Sequence, residues 1–248
     1  MVSPVIIVTG ASRGIGASIA LQAAASGYAV VVNYAQDAAG AQQVAEQISS
    51  HGGRALAVQA DISEPDQIER LFEAAQSLGE PSALVNNAAT TGNSPGRLSE
   101  LPDEVLEQTF STNVLGTIRV CQAAIRHWQR SPARRMGIVN ISSTATIAGS
   151  PGEWVHYAAS KGAIDVLTRG LASEVAAQNI RVNAVAPGLT DTGLHAAAGM
   201  PDRVQRLSPS IPLGRAASPD EVAHAVLWLL SDQASYITGS ILPVSGGR

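Results

Sequence analysis

Val5-Ile6-Ile7-Val8-Thr9-Gly10-Ala11-Ser12-Arg13-Gly14-Ile15-Gly16 reads as a strand, a glycine-punctuated turn and the first turn of a helix. Four β-branched residues in succession, without polar alternation, suit a strand covered on both faces, as in a parallel sheet. Glycines at 10, 14 and 16 permit a turn that side chains would block, and they bring backbone N–H groups and a helix N-terminus onto an anion. Ile15, Ile19 and Ala23 then mark one face of a helix that ends near Gly27.

Outward from this unit the alternation continues. Strand-length runs at 29–33, 54–59, 83–86, 137–142, 181–186 and 241–244 are separated by helical spacing over 38–50, 65–78, 102–130, 155–177 and 219–230. Pro65 and Pro219 sit near helix starts after Ser63 and Ser218, as N-caps and first-turn prolines do. Strand alternating with helix implies parallel strands joined by right-handed crossovers. The expectation is one doubly wound α/β domain over residues 1–248, with about seven parallel strands and helices on both faces. Ligands in such a sheet bind outside the carboxyl ends of the strands, where the strand order switches.

Composition narrows the function classes. Hydrophobic residues are 45% of the 248 and charged ones 15%, which provides for a sizeable core and argues against disorder. Net charge is −4 and the 16 basic residues are scattered, so no nucleic-acid partner is expected. The apolar stretches are strand-sized, well short of the ~20 residues of a membrane helix. Met1-Val2-Ser3-Pro4 lacks the basic start of a signal peptide, and a cytoplasmic, non-membrane protein is expected. One cysteine, Cys121, excludes an internal disulfide and a cysteine-built metal cluster, and no metal site is expected. Fifteen of the basic residues are arginine and one is lysine, Lys161. Lysine can be tuned toward proton chemistry and arginine essentially cannot.

The glycine turn invites a dinucleotide, and its surroundings bear on which one. Where the ribose carries a free 2′-hydroxyl, an acidic residue about 20 positions past the turn takes it. Here the second strand ends Val32-Asn33-Tyr34-Ala35-Gln36, and the first acid, Asp37, lies beyond it. No carboxylate is placed to repel a 2′-phosphate, and Arg13 inside the turn can pair with one. NADP(H) is favoured over NAD(H).

Tyr157 and Lys161 are four apart in a helical segment, on one face and one turn apart. A phenol with a reference pKa near ~10 is a poor acid or base at neutral pH, and a nearby ammonium favours the phenolate. Ser142 and Ser143 end the apolar run Gly137-Ile138-Val139-Asn140-Ile141, where either could hydrogen-bond a substrate oxygen.

Thr9–Gly16, Asn86-Asn87-Ala88-Ala89, Asn113, Ser143, Tyr157-Ala158-Ala159-Ser160-Lys161 and Pro187-Gly188, in that order along essentially the whole chain, resemble the short-chain dehydrogenase/reductase family. The glucose 1-dehydrogenase-like and 3-oxoacyl-carrier-protein reductase-like branches look most similar. The resemblance implies a Rossmann fold and hydride transfer between a nicotinamide and a small carbonyl or alcohol substrate. It implies that Tyr157 exchanges the proton, Lys161 binds the nicotinamide ribose and lowers the tyrosine pKa, Ser143 orients the substrate, and Asn113 supports a water relay. It implies further that Gly10, Ser12, Arg13, Gly14, Ile15 and Gly16 hold the cofactor phosphates, with Asn33 and Tyr34 near its ribose. Asp61 and Ile62 would meet the adenine, Asn87 and Ala88 the cofactor wall, and Pro187, Gly188, Thr190 and Thr192 the carboxamide end. A homotetramer, built on the two long helices and the C-terminal strand, is the implied assembly. A non-catalytic NADP(H) sensor or scaffold is the alternative, but it would need only the phosphate turn.

Three positions depart from the family pattern. Ala89 stands where glycine is usual, and Ser245 where aspartate is frequent. The gap of 14 from Ser143 to Tyr157 is about one longer than common, which leaves Ser142 and Ser143 both open as the orienting serine. The segment 189–215 is expected to cover the substrate. Leu194, His195, Ala196-Ala197-Ala198 and Met200 would give it a small apolar lining, with Arg203 and Arg206 further along. A compact, weakly charged compound fits such a lining better than a phosphorylated one.

Overall fold

The computed structural model describes residues 3–130 and 136–248. Met1 and Val2, part of the segment read for a signal peptide, lie outside the described residues. The elements run β1 (Val5–Val8), α1 (Gly14–Ala25), β2 (Ala29–Tyr34), α2 (Ala38–Ser50), β3 (Ala55–Gln59), α3 (Pro65–Gln76) and β4 (Pro81–Asn86). They continue with α4 (Asp103–Phe110), α5 (Thr117–Arg130), β5 (Met136–Ile141), α6 (Ala145–Ala148), α7 (Val155–Val175) and β6 (Ile180–Pro187). The short α8 (Gly193–Ala197) and α9 (Arg203–Leu207) precede α10 (Pro219–Leu230) and β7 (Ile241–Val244).

All seven strands pair in parallel in one sheet of order β3-β2-β1-β4-β5-β6-β7, as the alternating pattern predicts. The order reverses between β1 and β4, so the ends of those two strands open a crevice at the switch. The polarity of β1 explains the layers. Val5 and Ile7 face one core with Leu71, Phe72 and Trp128 of α3 and α5, whereas Ile6 and Val8 face the other with Ile19, Val226 and Leu229 of α1 and α10. All four β1 side chains are fully buried, each worth roughly 1.5–3 kcal/mol in apolar transfer. A strand sandwiched in this way has no wet face and hence no alternation.

Two local readings change. Ser63 does not cap α3: Glu64 is the cap residue, and the Ser63 hydroxyl and N–H turn back to Asp61 Oδ1 at 2.7 and 2.9 Å. Ser218 does cap α10, in a reciprocal box with Glu221. The helix expected over 102–130 is interrupted, with a π-helical turn, Ser111–Gly116, between α4 and α5. The wide turn fits two tertiary demands. Gly116 packs so tightly on Ile62 that an added Cβ would stand 2.9 Å from the Ile62 carbonyl oxygen, and Asn113 must reach the Thr90 main chain. Such π turns cluster at functional sites.

Candidate active site

The glycine turn lies directly beyond β1. Gly10 and Gly14 take left-handed backbone angles, with φ of 61° and 56°. A Cβ at Gly10 would stand 2.8 Å from the Ala88 Cα, so the turn and the end of β4 interlock only without a side chain there. Asn87 locks them by donating from Nδ2 to the carbonyls of Thr9 and Gly10 at 3.0 and 2.8 Å. The Asn87 and Ala88 N–H groups both donate to Thr9 Oγ1 at 3.0 Å. Gly16 is buried beneath this knot.

The N-terminus of α1 is left open to an anion. Its cap residue, Arg13, makes no side-chain cap hydrogen bond, and no acid stands in the first turn. A helix start with free N–H groups and no competing carboxylate fits a phosphate. Arg13 is exposed, Ser12 is half-buried, and Ile15 reaches the wall of the neighbouring cleft. Asn33 is buried, accepting from the Gly10 N–H at 3.3 Å and donating to the Ala60 carbonyl at 2.9 Å, so it braces the turn from below. Tyr34 is half-buried at the end of β2. Asp37 is engaged as the cap of α2, accepting from the Gly40 N–H at 3.0 Å. Asp61 uses Oδ1 for the turn onto Ser63, and Ile62 is buried against Gly116.

A second cluster forms past the ends of β5 and β6. Ser142 and Ser143 both border one cleft but differ in their partners. Ser142 is buried and donates to Asp165 Oδ1 of α7 at 2.5 Å. Ser143 lines a cleft of about 170 Å³, accepts from the Ala145 N–H at 3.1 Å, and stands beside the Tyr157 phenol. Tyr157 lines the same cleft, together with Pro187, Gly188, Thr190 and Thr192. Gly188 is admitted there by its missing side chain, since a Cβ would meet Ser245 Cα at 2.8 Å.

Lys161 lies one turn behind Tyr157, buried, with Nζ 5.6 Å from the ring centroid and donating to the Ile141 carbonyl at 2.7 Å. Burial pushes the lysine down to about 8, against the pull of the Asp165 carboxylate, which favours the ammonium. Burial pushes Tyr157 up to about 12, with Ser143 drawing it back.

Asn113 is buried outside the cleft. Its Oδ1 accepts from the Thr90 N–H at 2.8 Å, and its Nδ2 donates to the Thr90 carbonyl at 2.9 Å and to Ser160 Oγ at 3.0 Å. It thereby ties the β4 loop to α7.

The structure thus joins Ile15, Ser143, Tyr157, Pro187, Gly188, Thr190 and Thr192 around one cleft, with Lys161 and Asn113 behind it. Asp165, which the sequence shows only as the next helical turn after Tyr157 and Lys161, joins them in the structure. The expected substrate lining changes too. Ala196 and Ala197 are exposed, and neither they nor Met200 line the cleft, which Trp154, Leu194, His195 and Arg203 do.

Comparisons with known proteins agree with this architecture. A family described as enoyl-(acyl carrier protein) reductase matches residues 10–248. The chain is 48% identical over 244 residues to the uncharacterized oxidoreductase YgfF of Escherichia coli K12, covering 98% of both chains. It is 39% identical over 246 residues to 3beta-hydroxysteroid dehydrogenase 1 of Eggerthella lenta, covering 98% of this chain and 92% of that one. A crystal structure of a short-chain type dehydrogenase/reductase from Mycobacterium marinum superposes with a TM-score of 0.92 at 34% identity, covering 99% of this chain and 96% of that one. With a glycine turn at the sheet switch, a Ser–Tyr–Lys cluster beyond β5 and these matches over nearly its full length, the chain belongs to the short-chain dehydrogenase/reductase family of oxidoreductases.

Proposed function

We propose that this chain is an NADP(H)-dependent oxidoreductase acting on a small carbonyl or alcohol substrate, with Tyr157 as its general acid and base. The observation that carries the reading is the Tyr157 phenol on the cleft wall beside Ser143, with the Lys161 ammonium held behind it by the Ile141 carbonyl. A bound nicotinamide supplies or accepts the hydride. The chain itself manages the proton and the geometry. With the phenol pushed up to about 12, Tyr157 is protonated at neutral pH and can donate to a carbonyl oxygen that gains charge during reduction. Ser143 gives that oxygen a hydrogen bond and fixes its position. Lys161, at about 8, remains mostly an ammonium at neutral pH and stabilises the phenolate left behind.

The open N-terminus of α1, with Gly10, Ser12, Gly14, Ile15 and Gly16, suits the cofactor pyrophosphate, and Asn87 and Ala88 hold the facing wall. Asn33 and Tyr34 would border the ribose, Asp61 and Ile62 the adenine, and Pro187, Gly188, Thr190 and Thr192 the carboxamide. The exposed Arg13 supports NADPH over NADH, as does the employment of Asp37 as a helix cap. Asn113 acts through the Thr90 loop and α7, as a positioning residue.

The proposal includes a single catalytic domain over residues 1–248, a cytoplasmic location and a homotetramer. Among the described residues no helix is long and apolar enough to cross a membrane. Leu106 of α4, Leu115 and Val166 of α7 are exposed large apolar side chains on the helices expected at the main subunit contact. A monomer by light scattering at micromolar concentration would exclude the tetramer. Nothing supports a non-catalytic sensor.

The test of the reading is direct. Cofactor oxidation is followed over a panel of ketones, aldehydes and keto acids, for wild type and Tyr157→Phe. Turnover in the wild type, lost in Tyr157→Phe with NADPH binding retained, is the expected result. NADPH binding without turnover of any carbonyl would leave the sensor reading standing.

A further inference from the structure

Four buried side-chain polar atoms among the described residues lack a hydrogen-bond partner, and three belong to residues of one cleft wall: Trp154 Nε1, His195 Nδ1 and Arg203 Nε. They form one stack. The Arg203 guanidinium lies 4.9 Å over the Trp154 ring, and the His195 ring is stacked on the other partner of that contact, 6.2 Å from the Trp154 ring at 22°. Trp154 is 3% exposed and His195 9%. Unmet buried polar atoms are costly, and three on the residues of one wall, two of them donors only, point to a ligand group that meets them.

The chemistry of that group follows from the atoms. Indole Nε1 and guanidinium Nε are donors only, so two of the three positions require an acceptor. Burial, reinforced by the Arg203 charge, keeps His195 below its ordinary pKa, so its ring serves as a neutral hydrogen-bonding group. The charges of the wall have one sign. Arg203 and Arg248 are the charged side chains lining the cleft, while the acids near the stack, Glu153 and Asp191, stand outside its lining. Glu153 is shared between Arg203 at 2.6 Å and Arg206 at 3.9 Å, leaving two guanidinium groups for one carboxylate. Arginine adjacent to an aromatic face is well suited to receive a carboxylate in a desolvated wall.

We propose that Arg203, His195 and Trp154 form a carboxylate-recognition subsite, so that the substrate is a keto acid or the corresponding hydroxy acid rather than a neutral ketone or alcohol. The inference rests on the oxidoreductase reading above and specifies its substrate class. The reacting carbonyl would sit at Ser143 and Tyr157, and the carboxylate would enter the Trp154 wall by rotation of the Arg203 and His195 side chains.

The test compares kcat/KM for a series of keto acids of increasing chain length with that for their methyl esters, using NADPH. Wild type should favour the acid at the best length by about tenfold or more, as expected for hydrogen bonds to a charged group. Arg203→Gln should reduce that acid-to-ester ratio about tenfold. Trp154→Phe, which keeps the ring stack and removes only the donor, should reduce it by a smaller factor. A parallel titration of tryptophan fluorescence with acid and ester, in the presence of NADPH, reads binding independently of turnover. Its acid-specific response should weaken about tenfold in Arg203→Gln, which keeps the Trp154 fluorophore. Esters reduced as well as acids at every length would overturn the subsite while leaving the oxidoreductase reading intact. So would a ratio unchanged in both variants. If neither acids nor esters turn over while a neutral ketone or aldehyde does, the subsite is overturned and the oxidoreductase reading stands; if no carbonyl turns over, that reading fails, and the fluorescence titration decides whether the wall binds a carboxylate.

Discussion

Ser142 donates a hydrogen bond to Asp165 across 2.5 Å, and this buried contact gives it a different partner from the adjacent Ser143. Neighbouring residues at a strand end point to opposite sides. Both serines border the cleft, but the Ser142 hydroxyl is committed to α7 while Ser143 stands beside Tyr157, and Asp165, one turn past Lys161, favours the ammonium that burial opposes. Serine, carboxylate and lysine thus form a support behind the tyrosine.

Asp165→Asn should remove that support with little change of shape. Without the carboxylate, the lysine falls below its present value of about 8, and the ammonium is lost closer to neutrality. The alkaline limb of the kcat/KM profile should therefore move to lower pH, with a loss on the order of tenfold at pH 8 and a smaller one at pH 6. A pH–rate profile that superimposes on wild type would show that Asp165 only fills space.

Lys161→Arg keeps the charge but replaces a compact ammonium by a planar, bulkier guanidinium in a buried site. The expected loss of kcat is on the order of 10²-fold or more, with NADPH affinity weakened less because the phosphate turn is untouched. Retention of more than about half of wild-type kcat would contradict the assignment of Lys161 to proton chemistry.

The same lysine should burden stability. Its pKa falls from 10.5 in the unfolded chain to about 8 in the folded one, so the unfolded chain binds the extra proton between those values. The cost of burying the ammonium is fully present below pH 8 and disappears as pH rises toward 10.5. Lys161→Met should then stabilise the fold at pH 7 by about 1–3 kcal/mol, after loss of the hydrogen bond to Ile141, and the gain should shrink near pH 10. Urea unfolding at both pH values measures it, and a Met variant less stable than wild type at pH 7 would refute it.

Cofactor choice is testable at two positions. Arg13→Ala should weaken NADPH by about tenfold while leaving NADH nearly unchanged, since only the former carries a 2′-phosphate. Tyr34→Asp places a carboxylate at the end of β2 and should move preference toward NADH. Dissociation constants by cofactor fluorescence decide both, and equal or tighter NADH binding by the wild type would reverse the assignment.

The order of elements, the parallel sheet and the glycine turn were legible because period and polarity are local properties of the chain. Val5–Val8 is apolar throughout because both its faces are covered, and Tyr157 and Lys161 share a helix face whatever surrounds them. Tertiary structure alone could give Ser142 and Ser143 different partners, since the Asp165 acceptor of Ser142 comes from α7, 23 positions away in the chain. It alone opened the helix at Ser111–Gly116, where Asn113 and Gly116 answer to Thr90 and Ile62. It also set the Tyr157 phenol above its ordinary value, because desolvation is a sum over neighbours from distant segments. The meeting of Trp154 with His195 and Arg203 is of the same kind: a stack across some 40–50 positions leaves no periodicity in the chain, and only packing brings its unmet donors to one wall.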